Sequence, residues 1–207
     1  MSINLTEQQN YLIIGKKGSA KTCLGWSFAK NTLDASKRKV YVFDYPRPEL
    51  LKSLPFEVEN IVHLNRLFNI TDGVVLIDES HKLFNVLNKK VNEELKNLLS
   101  VSRQNNTCFI FICHNSYFIT RGLFSFIDVK IIKEVNQGHW ELERKHMQKL
   151  YENVRIFGKE NFFIDCDDGR GDETFEKPEW FTEEMSMAYR SQSKKQDFFE
   201  KIRKGEK

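Results

Sequence analysis

The sequence has few cysteines and no long apolar run. Its four cysteines are Cys23, Cys108, Cys113 and Cys166, and no two of them form the C-x-x-C pair that is typical of zinc and redox sites. This argues against a zinc site and indicates small, buried, reduced thiols. No apolar stretch approaches the ~18 residues that a membrane-spanning helix needs. The first residues also lack the pattern of a signal peptide, so we expect a cytoplasmic protein.

A large excess of charge of either sign is also absent. The chain of 207 residues carries 32 basic and 29 acidic residues, which gives a formal net charge of +3. Without a global positive field, any contact with nucleic acid has to be local. The length suits one α/β domain with a well-filled core and is too short for two domains of ordinary size.

A glycine-containing loop follows the first apolar run, residues 11–14. The loop is Gly15-Lys16-Lys17-Gly18-Ser19-Ala20-Lys21-Thr22. Where a strand turns through such a loop into a helix, several backbone N–H groups stay unpaired and can donate to the oxygens of a triphosphate. Lys21 would supply charge for the outer phosphates, and Thr22 would supply a hydroxyl ligand for Mg2+. The pattern predicts a site for ATP and Mg2+.

Ala20 departs from the pattern G-x-x-x-x-G-K-[ST], which has its second glycine at this position. Because the position lies close to the start of the helix, where negative φ is normal, we expect the methyl group to cost little. The loop is therefore predicted to tolerate the alanine, with Gly18 offering a different flexible position.

An acid pair follows another apolar run. Residues 74–77 are typical of a strand buried on both faces, and Asp78 and Glu79 follow at its carboxyl end, where an α/β sheet binds its ligands. Asp78 would hold the Mg2+ from the side opposite Thr22. Glu79 would orient and deprotonate the attacking water. By itself the pair would indicate a solvated acidic turn, but together with the glycine loop it predicts ATP hydrolysis.

Apolar runs and helical patterns alternate over the first 135 residues. The sequence predicts strands at 11–14, 40–43, 74–77, 108–113 and 129–132, a short apolar run at 61–64, helices at about 21–33 and 89–102, and a short helical segment at 119–126. This alternation predicts an α/β fold with a mainly parallel central sheet that is flanked by helices.

The pattern is less regular after residue 135. We predict a helix at 138–151, a strand at 161–166 and a turn at 167–172. The acidic turn invites comparison with a calcium loop, but its glycine falls at the wrong position after Asp165, which favours a plain hairpin or loop. The chain is thus divided into a core at 1–135 and a C-terminal extension at 136–207. The extension would pack on the core within one domain and end in a charged tail.

The segment around the fourth strand resembles a known superfamily. Ser102-Arg103-Gln104-Asn105-Asn106-Thr107, the strand at 108–113 and then His114-Asn115 resemble the Arg, strand and polar-tip sequence of the FtsK/HerA superfamily of DNA-pumping ATPases. Residues 118–132 look like the short helix and last core strand of that superfamily. The resemblance covers about residues 10–135 and implies a P-loop NTPase of the RecA-like additional-strand (ASCE) type. Members this short are similar to the genome-packaging ATPases of viruses with internal membranes, including archaeal ones.

The resemblance also implies roles for single residues. Lys21 and Thr22 would contact phosphate and Mg2+, while Asp78 would contact the metal and Glu79 the water.

Three further residues are candidates for the catalytic machinery. His114 stands at the polar tip, where much of the family has glutamine, and is a candidate sensor of the γ-phosphate. A buried histidine with satisfied hydrogen bonds is the alternative. Arg103 is the candidate arginine finger that reaches the nucleotide of a neighbouring subunit, and Arg121 is the second candidate for that role.

The partners implied by the resemblance are DNA and further copies of the chain. A ring of five or six subunits would translocate double-stranded DNA, most simply to package a viral genome into a preformed capsid in the host cytoplasm. A capsid-vertex or membrane-associated virion protein would be a further partner. The DNA contacts would be to phosphates and independent of sequence. Residues 37–39, residues 89–90 and Lys130 are available for them, and the sequence does not choose among these groups.

Two other interpretations stay open. Lys16 stands where ParA-like partition ATPases have an extra lysine, although Glu79 directly after the metal aspartate is typical of the additional-strand class. The other interpretation is a nucleotide-binding switch that does not hydrolyse ATP.

Overall fold

A single sheet of eight strands runs through the computed structural model, which describes residues 9–82, 89–152, 154 and 158–189. The strands are β1 (Tyr11–Ile14), β2 (Lys39–Phe43), β3 (Val58–Ile61), β4 (Gly73–Ile77), β5 (Cys108–Ile112), β6 (Val129–Ile132), β7 (Asn161–Cys166) and β8 (Gly169–Thr174).

Helices connect and flank these strands. They are α1 (Lys21–Ser36), α2 (Leu64–Leu67), α3 (Lys89–Ser100), α4 (Arg121–Phe124), α5 (Gln137–Leu142), α6 (Lys145–Tyr151) and α7 (Glu183–Ser186). Short 3-10 helices occur at Pro48–Ser53, Ser80–Lys82 and Ser116–Phe118. Among the described residues, no helix combines the length and the apolar character that crossing a membrane requires.

The strand order is β3-β2-β4-β5-β1-β6-β7-β8. The strands from β3 to β6 in this order are parallel, and β7 and β8 add an antiparallel hairpin to one side. Because β5 lies between β1 and β4, a strand separates the one that leads into the glycine loop from the one that leads into the acid pair. The α/β fold of the additional-strand type, with a mainly parallel sheet, is confirmed.

The register aligns the carboxyl ends of the three central strands. Ile13 lies opposite Ile112 in the β1/β5 pair, and Ile77 lies opposite Phe111 in the β4/β5 pair. The segments that follow β1, β4 and β5 therefore leave the sheet at the same edge, which we call the carboxyl edge.

Two apolar layers cover the sheet. One layer packs around α1 and includes Trp26 together with Phe181 and Met185 from the end of the described chain. The opposite layer packs around α3, α4 and α6 and includes Leu98 and Met147. Since β1, β4 and β5 are buried on both faces, their uninterrupted apolar runs have a direct structural reason. Both layers contain side chains from beyond residue 135.

Two elements differ from the sequence prediction. β3 is a half-exposed edge strand at Val58–Ile61, whereas the apolar pattern points to residues 61–64. The helix predicted at 138–151 is two helices, because the backbone is extended at Glu143 (φ −85°, ψ 162°), whose buried side chain accepts hydrogen bonds from Ser116. The hairpin alternative for the acidic segment is confirmed by the β7–β8 pair, but the predicted turn at 167–172 is too long, because residues 169–172 belong to β8. The predicted charged tail lies outside the described residues.

Gly25 offers a test of how closely α1 packs on the sheet. A Cβ at this position would lie 2.5 Å from Cδ1 of Ile112 and 3.1 Å from Cδ1 of Leu76. We expect Gly25→Ala to lower the free energy of unfolding by about 1–3 kcal/mol, because a methyl group added to a filled core forces its neighbours to move. Urea titration followed by circular dichroism measures this change.

Gly122 is the matched control, since a Cβ there would lie 3.8 Å from the nearest atom of Lys96. Gly122→Ala should be stabilising by roughly 0.5–1 kcal/mol, as expected for alanine in a helix with free space. Equal effects of the two substitutions would contradict the packing described for α1.

Candidate active site

The loop between β1 and α1 turns around the carbonyl oxygen of Lys16. Ser19 donates to this oxygen from its N–H at 3.3 Å and from its hydroxyl at 2.8 Å, and Lys21 donates to it from Nζ at 2.8 Å. Burial lowers the pKa of Lys21, and the charges of Asp78 and Glu79 act in the opposite direction. The loop therefore holds an ammonium group next to its backbone, as the predicted phosphate site requires.

Gly15 leaves no space for a side chain at the start of this loop. It has φ 150°, and a Cβ there would lie 2.8 Å from Cβ of Lys133. Lys133 is fully buried, and its Nζ donates to the carbonyl oxygens of Lys159 and Asn161 at 2.6 Å each. Burial lowers the pKa of Lys133 to about 8. The lysine that packs against the loop is thus anchored by the backbone of the C-terminal extension.

Ala20 corrects one sequence prediction. It is the residue before α1 and has φ 65° and ψ 25°, which is the left-handed conformation, so the expected negative φ is wrong. A residue with a Cβ in this conformation costs roughly 1–2 kcal/mol relative to the right-handed one. The alanine is tolerated, but at the cost of backbone strain in the loop.

Thr22 and Asp78 meet at the carboxyl edge. The Thr22 hydroxyl, in the first turn of α1, donates to Oδ2 of Asp78 at 2.7 Å, and the N–H of Glu79 donates to Oδ1 at 2.7 Å. Burial raises the pKa of Asp78 to about 6, and the neighbouring charge of Glu79 acts in the same direction. These oxygens are of the type that Mg2+ prefers, and a desolvated carboxylate gains from a nearby cation, so the two residues fit the predicted metal.

Glu79 lies between two histidines. Its Oε2 is 3.3 Å from Nδ1 of His81, and its Oε1 is 3.7 Å from Nε2 of His114. The backbone of Glu79 is left-handed (φ 50°), which turns the chain away from the direction of β4 directly after Asp78. The carboxylate stays partly exposed, so that water can reach it.

His114 reaches the loop from the end of β5. Its Nδ1 lies 3.4 Å from Nζ of Lys21, and its ring is hydrogen-bonded with the backbone of Gly15. Burial lowers the pKa of His114, and the positive charge of Lys21 lowers it further, which favours the neutral imidazole. The structure thus brings His114 to Lys21 and Glu79, as a sensor of the γ-phosphate would require, and its sensor role stays a prediction.

The lysines at the start of the loop differ in their surroundings. Lys16 forms an ion pair with Glu134, which follows Lys133 at the end of β6, and the Lys16 N–H donates to the Glu134 carbonyl oxygen at 2.7 Å. Lys17 is exposed, and Gly18 has φ 80°. Lys16 thus fixes the loop to the strand on the other side of β1.

The two candidate arginine fingers lie away from this group of residues. Arg103 precedes β5 and forms an ion pair with Asp128 at 2.9 Å, at the edge of the sheet opposite to the glycine loop. Arg121 begins α4 and is exposed. The structure describes one chain, so a role of either residue towards a neighbouring subunit stays a prediction.

Sequence reasoning missed His81, Lys133 and Glu134. His81 could have been found from its closeness to the acid pair in the sequence. Lys133 could have been found because it directly continues the apolar strand β6, where a solvated side chain is not expected. Nothing in the sequence signalled that Glu134 would pair with Lys16, because the adjacency of β1 and β6 has to be known first.

Comparisons with known proteins gave matches among solved structures alone. No protein-family model and no curated protein matches the chain. The genome packaging NTPase B204 from Sulfolobus turreted icosahedral virus 2, in complex with ATP-gammaS, matches with a TM-score of 0.65 and 16% identity over 82% of this chain and 98% of that chain. The pCW3 conjugation coupling protein TcpA matches with a TM-score of 0.60 and 11% identity over 81% of this chain and 60% of that chain.

ATPases 2 and 3 of EssC from Geobacillus thermodenitrificans also match, with a TM-score of 0.56 and 14% identity over 82% of this chain and 40% of that chain. The chain has the P-loop NTPase fold. The resemblance to FtsK/HerA-type ATPases and viral packaging ATPases is thereby confirmed at the level of the fold.

Ala20→Gly tests the strain in the glycine loop. Because glycine adopts φ 65° without a steric penalty, we expect this variant to gain about 1 kcal/mol in free energy of unfolding. The control is Gly18→Ala, which adds a methyl group at φ 80° where no atom lies within 4 Å, so its effect comes from the backbone alone. Gly18→Ala should lose about 1 kcal/mol in free energy of unfolding. Thermal unfolding of both variants without nucleotide measures the difference, and a loss of stability in Ala20→Gly would contradict the left-handed conformation.

Proposed function

We propose that this protein is an ATP-hydrolysing motor that translocates double-stranded DNA and packages a viral genome into a preformed capsid. The observation that supports it most is the 2.7 Å contact between Thr22 and Asp78, with Glu79 next to it, at the mouth of a glycine loop. The solved structures with the same fold include a genome packaging NTPase and a conjugation coupling protein, which favours DNA as the substrate.

Different residues of the site bind the phosphates, hold the metal and activate the water. The backbone of the loop and the Lys21 ammonium bind the phosphates, and Thr22 and Asp78 hold Mg2+. The bound Mg2+ supplies charge stabilisation for the phosphoryl group. Glu79 accepts a proton from the attacking water through the carboxylate oxygens that face His81 and His114.

The two histidines next to Glu79 affect how its carboxylate is oriented. A neutral imidazole with an N–H directed at Glu79 orients the carboxylate without taking up its negative charge. His114 is suited to this role, since burial lowers its pKa and its Nε2 lies 3.7 Å from Oε1 of Glu79. It also contacts Lys21, so one side chain bridges the phosphate side and the water side of the site.

Assembly into a ring would complete the site. Guanidinium charge at the γ-phosphate stabilises the transition state of phosphoryl transfer, and Arg103 or Arg121 of a neighbouring subunit would supply it. The proposed ring has five or six subunits and works in the cytoplasm of the host. A capsid-vertex or membrane-associated virion protein is its proposed further partner.

The ParA-like alternative has less support. Lys16, the residue that suggested it, binds Glu134 of its own chain, and β5 lies between β1 and β4 as in the additional-strand class.

Glu79→Gln tests the catalytic base. We expect ATP turnover to fall by roughly 10²–10⁴-fold, the usual contribution of a general base, while ATP still binds because the loop is unchanged. Phosphate release and binding of a fluorescent ATP analogue measure the two effects. Glu59→Gln is the control, because Glu59 is an exposed residue of β3 that pairs with Arg66. Full turnover by Glu79→Gln would refute the assignment, and a wild-type protein that binds ATP without hydrolysing it would instead be the non-hydrolysing switch.

Arg103→Ala tests the arginine finger in trans. If Arg103 completes a neighbour's site, Arg103→Ala alone should be inactive, and so should Glu79→Gln. A mixture of the two should recover part of the activity, since an Arg103→Ala subunit has an intact Glu79 and can receive the arginine of its Glu79→Gln neighbour. Steady-state hydrolysis at several mixing ratios measures this recovery.

Full turnover by Arg103→Ala alone would exclude Arg103 as the finger. The same mixing experiment with Arg121→Ala then decides whether the second candidate has the role.

A further inference from the structure

We propose that a group of basic residues on the sheet face opposite α1 contacts the phosphate backbone of the DNA. This inference rests on the proposed function and names the surface that meets the substrate. The group, which we call the cation cluster, consists of Lys96 on α3, Arg121 on α4, Lys130 on β6 and Arg144 before α6.

Phe124 lies at the centre of the cation cluster. Nζ of Lys130 is 6.0 Å from the centroid of its ring, and Cζ of Arg144 is 5.1 Å from it. The ring of His146 packs edge-on against Phe124 at 5.2 Å. Cation–π contacts of this kind hold two positive charges near each other on the protein surface.

Arg121 and Lys96 extend the cluster along α4 and α3. The aliphatic stem of Lys96 passes over Gly122, where a Cβ would lie 3.8 Å from its Cδ and 3.9 Å from its Cε. Gly122 directly follows Arg121, and both Lys96 and Arg121 are exposed. Their charged ends are therefore available to a ligand in solution.

The basic groups are close enough to affect one another. Burial lowers the pKa of His146, and the charges of Arg144, Lys130 and Arg121 lower it further. Burial also lowers the pKa of Arg144, with an added effect of the charge of Arg121. Repulsion between these like charges destabilises the free protein, and a bound polyanion would relieve it.

Two acidic groups lie next to members of the cluster. Asp165 lies 3.3 Å from Nζ of Lys130, as its ion-pair partner. Glu143 is buried, and its carboxylate accepts hydrogen bonds from Ser116 and from the hydroxyl of Tyr151. Asp165 therefore pairs with Lys130 and Glu143 is held in the interior, while the exposed Lys96 and Arg121 have no ion pair among the contacts of the described residues.

DNA fits this surface because its phosphates are spaced along a line and carry one charge each. The cluster draws its cations from separate elements, with Lys130 and Arg144 beside Phe124 and the exposed Lys96 and Arg121 on α3 and α4. A motor has to bind every sequence, and lysine and arginine contacts to phosphate carry no sequence information. Among the basic groups available in the sequence, the structure thus favours Lys130.

The cluster is also bonded to the nucleotide site. The N–H of Arg144 donates to Oε1 of Glu143 at 3.2 Å, and Oε2 of the same carboxylate accepts from the N–H of Ser116 at 3.1 Å. The guanidinium of Arg144 donates to the carbonyl oxygen of Ile119. Ser116 lies two residues after His114, the residue between Lys21 and Glu79, so the proposed coupling of DNA binding to hydrolysis would run through these hydrogen bonds.

The double variant Lys96→Gln/Lys130→Gln tests the inference without touching the catalytic residues. Fluorescence anisotropy of a labelled 30-base-pair duplex is measured over a range of salt concentrations. We expect the slope of log affinity against log salt to become shallower by about two, roughly one for each lost phosphate contact. Basal ATP turnover should be unchanged, and its stimulation by DNA should be lost.

The matched control is Lys39→Gln/Lys90→Gln, which removes the same charge from two exposed lysines elsewhere on the chain. It should keep the wild-type slope. Lys96→Glu is a second test variant, because it changes one exposed side chain and leaves the ion pair of Lys130 intact. Weaker binding in both test variants, but not in the control, supports the cation cluster.

Two outcomes would overturn the inference, and they differ in what else they refute. If the wild-type protein binds DNA and the test variants bind it with the control's slope, the DNA lies elsewhere and the proposed motor function stands. If the wild-type protein binds no duplex at any salt concentration, the cation cluster and the DNA-translocating function are both wrong.

Discussion

The hydrogen bond between Thr22 and Asp78 is the contact on which the rest of the site depends. It joins the first turn of α1 to the end of β4, although β5 lies between β4 and the strand that leads into α1. This is possible because parallel strands in register end at the same edge of the sheet, and because Gly25 lets α1 lie close to β4 and β5. Glu79 and His114 take their positions from the same alignment, since each follows the end of one of these strands.

The same alignment brings several energetically unfavourable features together in one small region. Asp78 is a carboxylate whose pKa burial raises, Ala20 and Glu79 have left-handed backbones, and Lys133 is a fully buried lysine. Each feature is unfavourable in a protein selected for stability alone, and together they surround the predicted nucleotide. A bound cation and phosphates would offset the charges of Asp78 and Lys21, so the predicted ligand would stabilise the site.

Much of this arrangement could be predicted from the sequence, for reasons that differ between residues. β1, β4 and β5 are apolar without interruption because both of their faces are buried, and the glycine loop and acid pair mark the ends of two of them. The left-handed conformation of Ala20 could not be predicted, because an alanine carries no signal for it. The break between α5 and α6 could not be predicted from the sequence for another reason. It depends on the bond from Glu143 to Ser116, residues that lie 27 positions apart and meet through the fold.

Glu143 also shows how the extension is joined to the segment that follows β5. Its carboxylate is buried and accepts from Ser116, from Tyr151 and from the N–H of Arg144, so it cannot move without breaking several hydrogen bonds at once. A buried polar network that is satisfied in this way makes the structure around it rigid. The extension thus supplies a hydrogen-bonded link between Arg144 and Ser116, which lies two residues after His114. A core ending at residue 135 would contain the residues of the candidate site but would lack this hydrogen-bonded connection to the surface around Arg144.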